Sequence, residues 1–129
     1  MDKQEITRKI IVCVAESLAR PTEGIGSETS LIKELDADSL DFLDIMFSLE
    51  RTFKITLGKE HFDLLQKVGM SREEAIVGQN LTQPALDRLQ AWLPTLPKEG
   101  NVPVRNLRDY ITVETIVRIV QQLIQEKGA

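Results

Sequence analysis

Cysteine, histidine and aromatic residues are scarce in this chain, and each scarcity excludes a class of protein. Among 129 residues there is one cysteine, Cys13, and one histidine, His61. A single cysteine allows neither an internal disulfide nor a multi-cysteine metal site, and a lone histidine is too little for a metal centre. Only 5% of the residues are aromatic, so the core must consist mainly of leucine, isoleucine and valine.

Clustered positive charge and long apolar runs are also missing. The net charge is −4, which argues against nucleic acid as a partner because phosphate binding requires clustered lysine and arginine. No apolar run approaches the ~18 residues of a membrane span, and the first residues contain no apolar signal-peptide core. We therefore expect a single domain, residues 1–129, in a reducing cytoplasm, with no metal and no membrane span.

Apolar periodicity predicts three main helices, over residues 3–20, 39–52 and 113–126. Pro21 is expected to end the first helix, and Thr112 to cap the last one. The second helix is apolar over more than half of its circumference, so it is either mostly buried or also serves a partner. Cys13 lies on the apolar stripe of the first helix, where a small buried side chain is expected.

Residues 58–103 separate the second helix from the last one. Helical patterns cover residues 59–68 and 84–93, and the residues after Ser71 have the spacing of a capping box. Trp92 is expected to be a packing anchor of this region. Residues 94–103 form a proline-punctuated loop, and no alternating strand pattern of useful length occurs. The sequence thus predicts an all-α bundle with a helical insertion over residues 58–103.

The most informative residue is Ser39, at the predicted start of the second helix. A helix N-terminus exposes unpaired N–H groups and a partial positive charge, so a phosphodiester on a serine there is well accommodated. A plainer interpretation is that Asp38 or Ser39 only caps the helix. The surrounding residues favour the first interpretation. An apolar lead-in precedes the serine, an acid stands on each side of it, and a long apolar periodicity comes after it. They are Leu31, Ile32, Leu35, Asp38, Ser39, Leu40, Asp41, Leu43, Ile45, Met46, Leu49, Glu50, Phe53 and Ile55.

This pattern resembles the prosthetic-group site of the acyl carrier protein family, and residues 110–116 resemble the start of its last helix. The resemblance implies that 4′-phosphopantetheine is attached covalently to Ser39. It implies a non-catalytic, monomeric carrier of acyl thioesters in fatty acid, lipid or polyketide-type biosynthesis. It also implies an acyl-binding cleft between helices, with candidate residues Leu43, Met46, Phe47, Phe53, Ile55, Val113 and Ile116.

The partners implied are a phosphopantetheinyl transferase and acyl-transferring or acyl-modifying enzymes with basic docking patches. Seven acids and one lysine lie between Glu28 and Glu50, and such a local field attracts basic surfaces. For a random helix, these acids would only form a solvated face. Following Ser39 directly, they are the expected docking surface. The candidate partner-binding residues are Asp38, Asp41, Asp44 and Glu50.

Three features depart from the family pattern and suggest a specialised carrier. Asp36 stands where glycine is usual, so the turn before Ser39 is expected to be less tight. Arg51 and Lys54 stand at places that are often acidic, and the 58–103 insertion replaces a short connection. The acidic surroundings of the serine weakly favour an acyl cargo.

Two other functions stay open, a peptidyl or aminoacyl carrier and a non-modified helical interaction module. A hydrolase with a Ser39–His61–Asp triad is disfavoured, since neither a Gly-x-Ser-x-Gly elbow nor a strand precedes Ser39.

Overall fold

The computed structural model describes residues 1–128, apart from the side chain of Lys59; Ala129, the last residue of the predicted domain, lies outside it. The predicted all-α bundle with extra helices is confirmed. The α-helices are α1 (Lys3–Ser17), α2 (Ser39–Phe53), α3 (Leu64–Lys67), α4 (Arg72–Ala75), α5 (Gln83–Leu89) and α6 (Val113–Gly128). Two 3₁₀ segments (Lys59–Phe62 and Val104–Tyr110) and two short strands, β1 (Ile76–Val77) and β2 (Asn80–Leu81), complete the described elements.

The centre of the bundle is α1, which packs against both α2 and α6. Its residues Ile6, Ile10 and Val14 recur every four positions, so they share one face, and all three are buried. Opposite them, α6 buries Ile116, Val117 and Val120 completely, among others. This apolar packing, rather than intrinsic helix propensity, holds the main helices together.

The first helix ends earlier than Pro21 predicts. Ala19 takes the left-handed conformation, with φ of 52°. The amide of Arg20 then donates to the carbonyl of Ala15 at 2.9 Å, and that of Ala19 to the carbonyl of Glu16 at 3.2 Å. These two bonds form a Schellman motif, which closes the helix with backbone hydrogen bonds before the proline is reached.

The 58–103 segment contributes its own apolar side chains to the core. Leu86, Leu89 and Leu93 are fully buried or nearly so, and so are Leu96 and Val102 in the proline-punctuated loop. That loop is held by backbone bonds, since the amide of Leu81 donates to the carbonyl of Val102 at 2.9 Å. The segment, including this loop, is therefore packed on the bundle.

A β-hairpin in this segment was not predicted from the sequence. Ile76 pairs with Leu81 and Val77 with Asn80 in antiparallel register. Gly78, the first residue of the two-residue turn, has a φ of 65°, a conformation that glycine adopts at little cost in such turns. Strands of two residues are too short to show alternation, so no sequence pattern marks them.

Hydrogen bonds made by Arg118 and Lys67 tie the 58–103 segment to α6. Arg118 Nη1 donates to the carbonyl of Ala91 at 2.6 Å. The Lys67 ammonium lies 4.5 Å from the centre of the Trp92 ring and donates to Gln122 Oε1 at 2.6 Å. Burial lowers the pKa of Lys67, although the charge of Glu126 opposes this shift.

Candidate functional site

The loop that leads to Ser39 is fixed on the start of α6. The amide of Leu31 donates to the carbonyl of Ile111, and the amide of Val113 donates to the carbonyl of Thr29, both at 3.2 Å. Leu31 and Leu35 bury their side chains in the core. The chain therefore reaches α2 along a defined path.

The turn directly before α2 contains Asp36 in the left-handed conformation, with φ of 56°. The expectation of a less tight turn rested on the absence of glycine at this place. Aspartate is among the few other residues that tolerate this conformation, and the amide of Ala37 closes the turn by donating to the carbonyl of Leu31 at 2.9 Å. Asp36 thus adopts the backbone geometry that glycine favours.

A reciprocal pair of aspartates starts α2. Asp38 is the N-cap, and its Oδ1 accepts the amide of Asp41 at 2.9 Å. Asp41 Oδ2 in turn accepts the amide of Asp38 at 2.9 Å. This is a capping box with aspartate in both roles, and the three-residue spacing of the two acids is the sequence signal for it. Asp38 and Asp41, two of the four predicted partner-binding residues, therefore also stabilise the start of the helix.

Ser39 is the first residue of α2, and its side chain is exposed to solvent. The first-turn amides of Ser39 and Leu40 have no carbonyl of the same helix to bond, and the helix dipole makes this end partly positive. A serine here is reachable by another enzyme and leaves room for a flexible arm. The residues present thus fit a serine-linked phosphodiester, with the acidic Asp38 and Asp41 flanking it.

Beyond Ser39, the exposed side of α2 carries large apolar residues. Leu40 is 75% exposed and Phe47 is 49% exposed. Asp44, which lies between them on the same side of the helix, is also exposed. The exposure of Leu40 was not predicted from the sequence, because apolar periodicity alone does not distinguish an exposed leucine from a buried one.

The predicted acyl-cleft residues do not all face one interior space. Phe53, Val113 and Ile116 are buried, whereas Phe47 lies on the surface and is wrong as a cleft residue. The apolar content of α2 exceeds what one core-facing stripe can bury, which places Phe47 outside. Residues Met46, Leu43 and Ile55 are buried or half-buried.

An aromatic contact joins α2 to the 58–103 segment. The Phe42 ring, one turn after Ser39, meets the ring of Phe62 edge to face, with centroids 6.4 Å apart and planes at 75°. Such pairs contribute about 0.5–1.5 kcal/mol beyond the area they bury. This contact, which the sequence did not predict, brings the 58–103 segment close to the first turn of α2.

Glu50 and His61 have local structural contacts. Glu50 Oε2 accepts the amide of Leu57 at 2.8 Å, which orders the chain after α2. His61 Nε2 lies 4.0 Å from Oε1 of its neighbour Glu60. Partner binding by Glu50 stays a prediction.

The described residues offer little support for a metal site or a membrane span. Over residues 1–128, no cluster of three or more histidine, cysteine, aspartate or glutamate side chains is arranged to hold a metal ion. None of the described helices has the length and apolarity to traverse a bilayer. A shallow depression of about 690 Å³ lies between α1 and the loop after it, and its lining includes Lys3, Val12 and Ser27.

Comparison with known proteins gives a consistent result. Residues 8–69 match the family model described as the phosphopantetheine attachment site. The acyl carrier protein of Lactobacillus johnsonii is 31% identical over 80 residues, which are 62% of this chain and 100% of the relative. That of Saccharopolyspora erythraea is 30% identical over 93 residues, covering 70% of this chain and 98% of the relative. Acyl carrier protein AcpXL of Rhizobium meliloti is 36% identical over 84 residues, covering 64% and 87%.

The family-model match over residues 8–69 includes the capped start of α2, and the three alignments cover 87–100% of the relatives' own length. The family match and these relatives support covalently bound 4′-phosphopantetheine as the prosthetic group. The chain belongs to the acyl carrier protein family.

Proposed function

We propose that this protein carries acyl intermediates as thioesters on a 4′-phosphopantetheine arm attached to Ser39. The observation that carries the proposal is the position of Ser39, exposed at the first residue of α2 and inside the matched attachment-site region. When bound, the arm supplies a terminal thiol that holds the acyl group. The chain itself supplies the attachment point and a surface for its partners.

Attachment requires a separate transferase that uses coenzyme A. Ser39 Oγ bonds to the phosphorus that carries the pantetheine, adenosine 3′,5′-bisphosphate leaves, and a base of the transferase takes the hydroxyl proton. The described residues place no base in hydrogen-bond contact with Ser39, and His61 lies beside Glu60 instead. This arrangement suits a non-catalytic carrier whose serine is activated by the transferase.

The acids around Ser39 form the proposed docking surface for basic patches on partner enzymes. Asp44 is exposed and makes no hydrogen bond to another residue in the described part of the chain, so its charge is available to a partner. Asp38 and Asp41 are committed to the capping box but still present negative charge. Glu50 is half-buried and contributes less, because its carboxylate holds the Leu57 amide.

Within a single carrier domain, we propose that the 58–103 segment is a helical insertion that specialises it. The whole Lactobacillus johnsonii relative aligns with 62% of this chain, so this chain has residues that the relative lacks. The proposed setting is fatty acid, lipid or polyketide-type biosynthesis in the cytoplasm, with the carrier acting as a monomer.

The test is intact mass after incubation with coenzyme A and a broad-specificity phosphopantetheinyl transferase. Wild type should gain one phosphopantetheine and Ser39→Ala none. Ser27→Ala, which changes another exposed serine, should load like wild type. A non-modified interaction module predicts no mass gain in any of the three. A peptidyl carrier predicts that the protein isolated from its own cells carries an aminoacyl group rather than a fatty acyl group.

A further inference from the structure

One side of α2 presents acid, apolar and basic side chains in a fixed order. Successive residues of a helix are turned by 100°, so the four positions within α2 fall within an arc of about 60°. At 1.5 Å per residue they span about 16 Å. Lys54, the C-cap of α2, follows them in the left-handed conformation. We call this line the α2 face; in order from the serine, it consists of Leu40, Asp44, Phe47, Arg51 and Lys54.

The side chains of the α2 face are open to solvent. Leu40 and Phe47 are two of the large apolar residues found exposed, while Asp44, Arg51 and Lys54 are exposed as well. The ion pairs of the described residues involve none of these three charges. Asp44 and Arg51 are seven residues apart, about 10 Å along the axis, so they do not neutralise each other.

Helix stability alone does not account for this surface. Acids near the N-terminus and bases near the C-terminus do favour the helix dipole. That effect requires neither Leu40 nor Phe47 to be exposed. Large apolar side chains inside a charged rim are instead the composition of a protein-binding surface.

We propose that the α2 face docks a partner protein with the inverse order of chemistry. That partner presents a basic group opposite Asp44, an apolar pocket for Phe47, and an acidic patch about 10–15 Å from that basic group. This inference rests on the proposed carrier function, because it assigns the partner to the helix that carries the modified serine. The acidic patch on the partner is the new element of this proposal, because the acids around Ser39 by themselves predict only basic groups on the partner. Partners with a uniformly basic patch are disfavoured, because Arg51 and Lys54 repel them.

The experiment uses the full-length protein, both as purified and after incubation with coenzyme A and a phosphopantetheinyl transferase, with Phe47 replaced by the photo-reactive p-benzoylphenylalanine. It is cross-linked in an extract of the source organism, and the captured protein is identified by mass spectrometry, purified and mapped. The dissociation constant of that protein is then measured for wild type, for Arg51→Glu/Lys54→Glu, and for Arg72→Glu/Lys98→Glu. The last variant makes the same change of net charge at exposed sites away from α2.

We expect the Arg51→Glu/Lys54→Glu variant to bind at least roughly tenfold more weakly, because like charges then face each other across the interface. The matched control should bind like wild type, and reversing the partner's acidic residues should restore binding to the variant. Three outcomes would overturn the proposal. The first is equal binding by all three proteins, and the second is cross-linking to a second copy of this chain. The third is that no protein captured through position 47 depends on Arg51 and Lys54 for its binding.

The outcome is separable from that of the proposed function. If Ser39 is not modified yet the charge-dependent capture persists, the docking face stands and the carrier function fails. If Ser39 is loaded normally and the capture does not depend on the two bases, the carrier function stands and this inference fails. Circular dichroism of the reversed variant checks that the helix is intact.

Discussion

Asp38 and Asp41 hold each other through two hydrogen bonds of 2.9 Å, each carboxylate accepting the other residue's amide. Asp38→Ala removes one acceptor and leaves the Asp41 amide without its partner, so we expect unfolding in urea to require about 1 kcal/mol less free energy. Asp38→Asn keeps a capping oxygen and should retain most of that stability. Equal losses in the two variants would show that charge, and not the cap, matters at this position.

Asp44 should affect docking and leave folding almost unchanged. Its carboxylate is exposed, and exposed charges contribute less than ~1 kcal/mol to stability. We expect Asp44→Lys to lower kcat/KM for phosphopantetheine loading roughly 3- to 10-fold at low salt, because it repels the basic patch of the transferase. Added salt should shrink the difference.

The matched control for this prediction is Glu99→Lys, which makes the same charge change at an exposed loop residue. It should load at the rate of wild type. A melting temperature that falls markedly for Asp44→Lys would mean that this acid is structural, and an unchanged loading rate would remove it from the docking surface.

Much of this fold follows from local sequence patterns. The starts of α2 and α6 are marked by cap residues followed by apolar periodicity, and the structure places them at the predicted residues. Thr112 does cap α6, with its Oγ1 accepting the Thr115 amide at 3.3 Å. The position of Ser39 was readable for the same reason, since an N-cap acid directly precedes it.

The parts of the fold that the sequence did not predict depend on an unusual backbone conformation or on contacts between distant residues. The end of α1 is set by Ala19 in an unusual conformation, which no residue type announced. Phe47 lies on the surface, whereas Phe42, on another side of α2, meets Phe62 of the 58–103 segment. Val102 is held by the backbone of residue 81, and the Leu96 carbonyl accepts the side-chain amide of Gln90 at 2.9 Å. Apolar periodicity does not report such pairing.

Glu114 should make the stability of the fold depend on acid pH. Burial raises the pKa of Glu114, but hydrogen bonds from Lys3 and Arg118, both at 2.9 Å, and their charges outweigh it, so the pKa lies below its ordinary value. A carboxylate with a lowered folded-state pKa stabilises the protein above its unfolded-state pKa. This contribution is lost as the pH falls below about 4.5 and through the folded-state pKa.

Glu114→Gln tests this pH dependence. At pH 7 the variant should be less stable than wild type by roughly 1–3 kcal/mol, a range discounted for the exposure of Lys3. The difference should shrink progressively in urea titrations carried out between pH 5 and pH 3. Glu99→Gln serves as the exposed control and should follow wild type throughout. A gap between Glu114→Gln and wild type that is constant with pH would assign the loss to packing instead of charge.

The 58–103 segment should unfold together with the main helices, because both share one apolar core. Trp92 is the only tryptophan, so its fluorescence reports on the segment, while far-UV circular dichroism reports mainly on the longer helices α1, α2 and α6. We expect the two signals to give one coincident urea transition. Leu93→Ala, which empties a fully buried site, should move both together by about 2–5 kcal/mol. Val77→Ala, at the exposed hairpin, should change neither by more than ~0.5 kcal/mol. A fluorescence transition that shifts alone would show that the segment is an independent unit docked on the carrier.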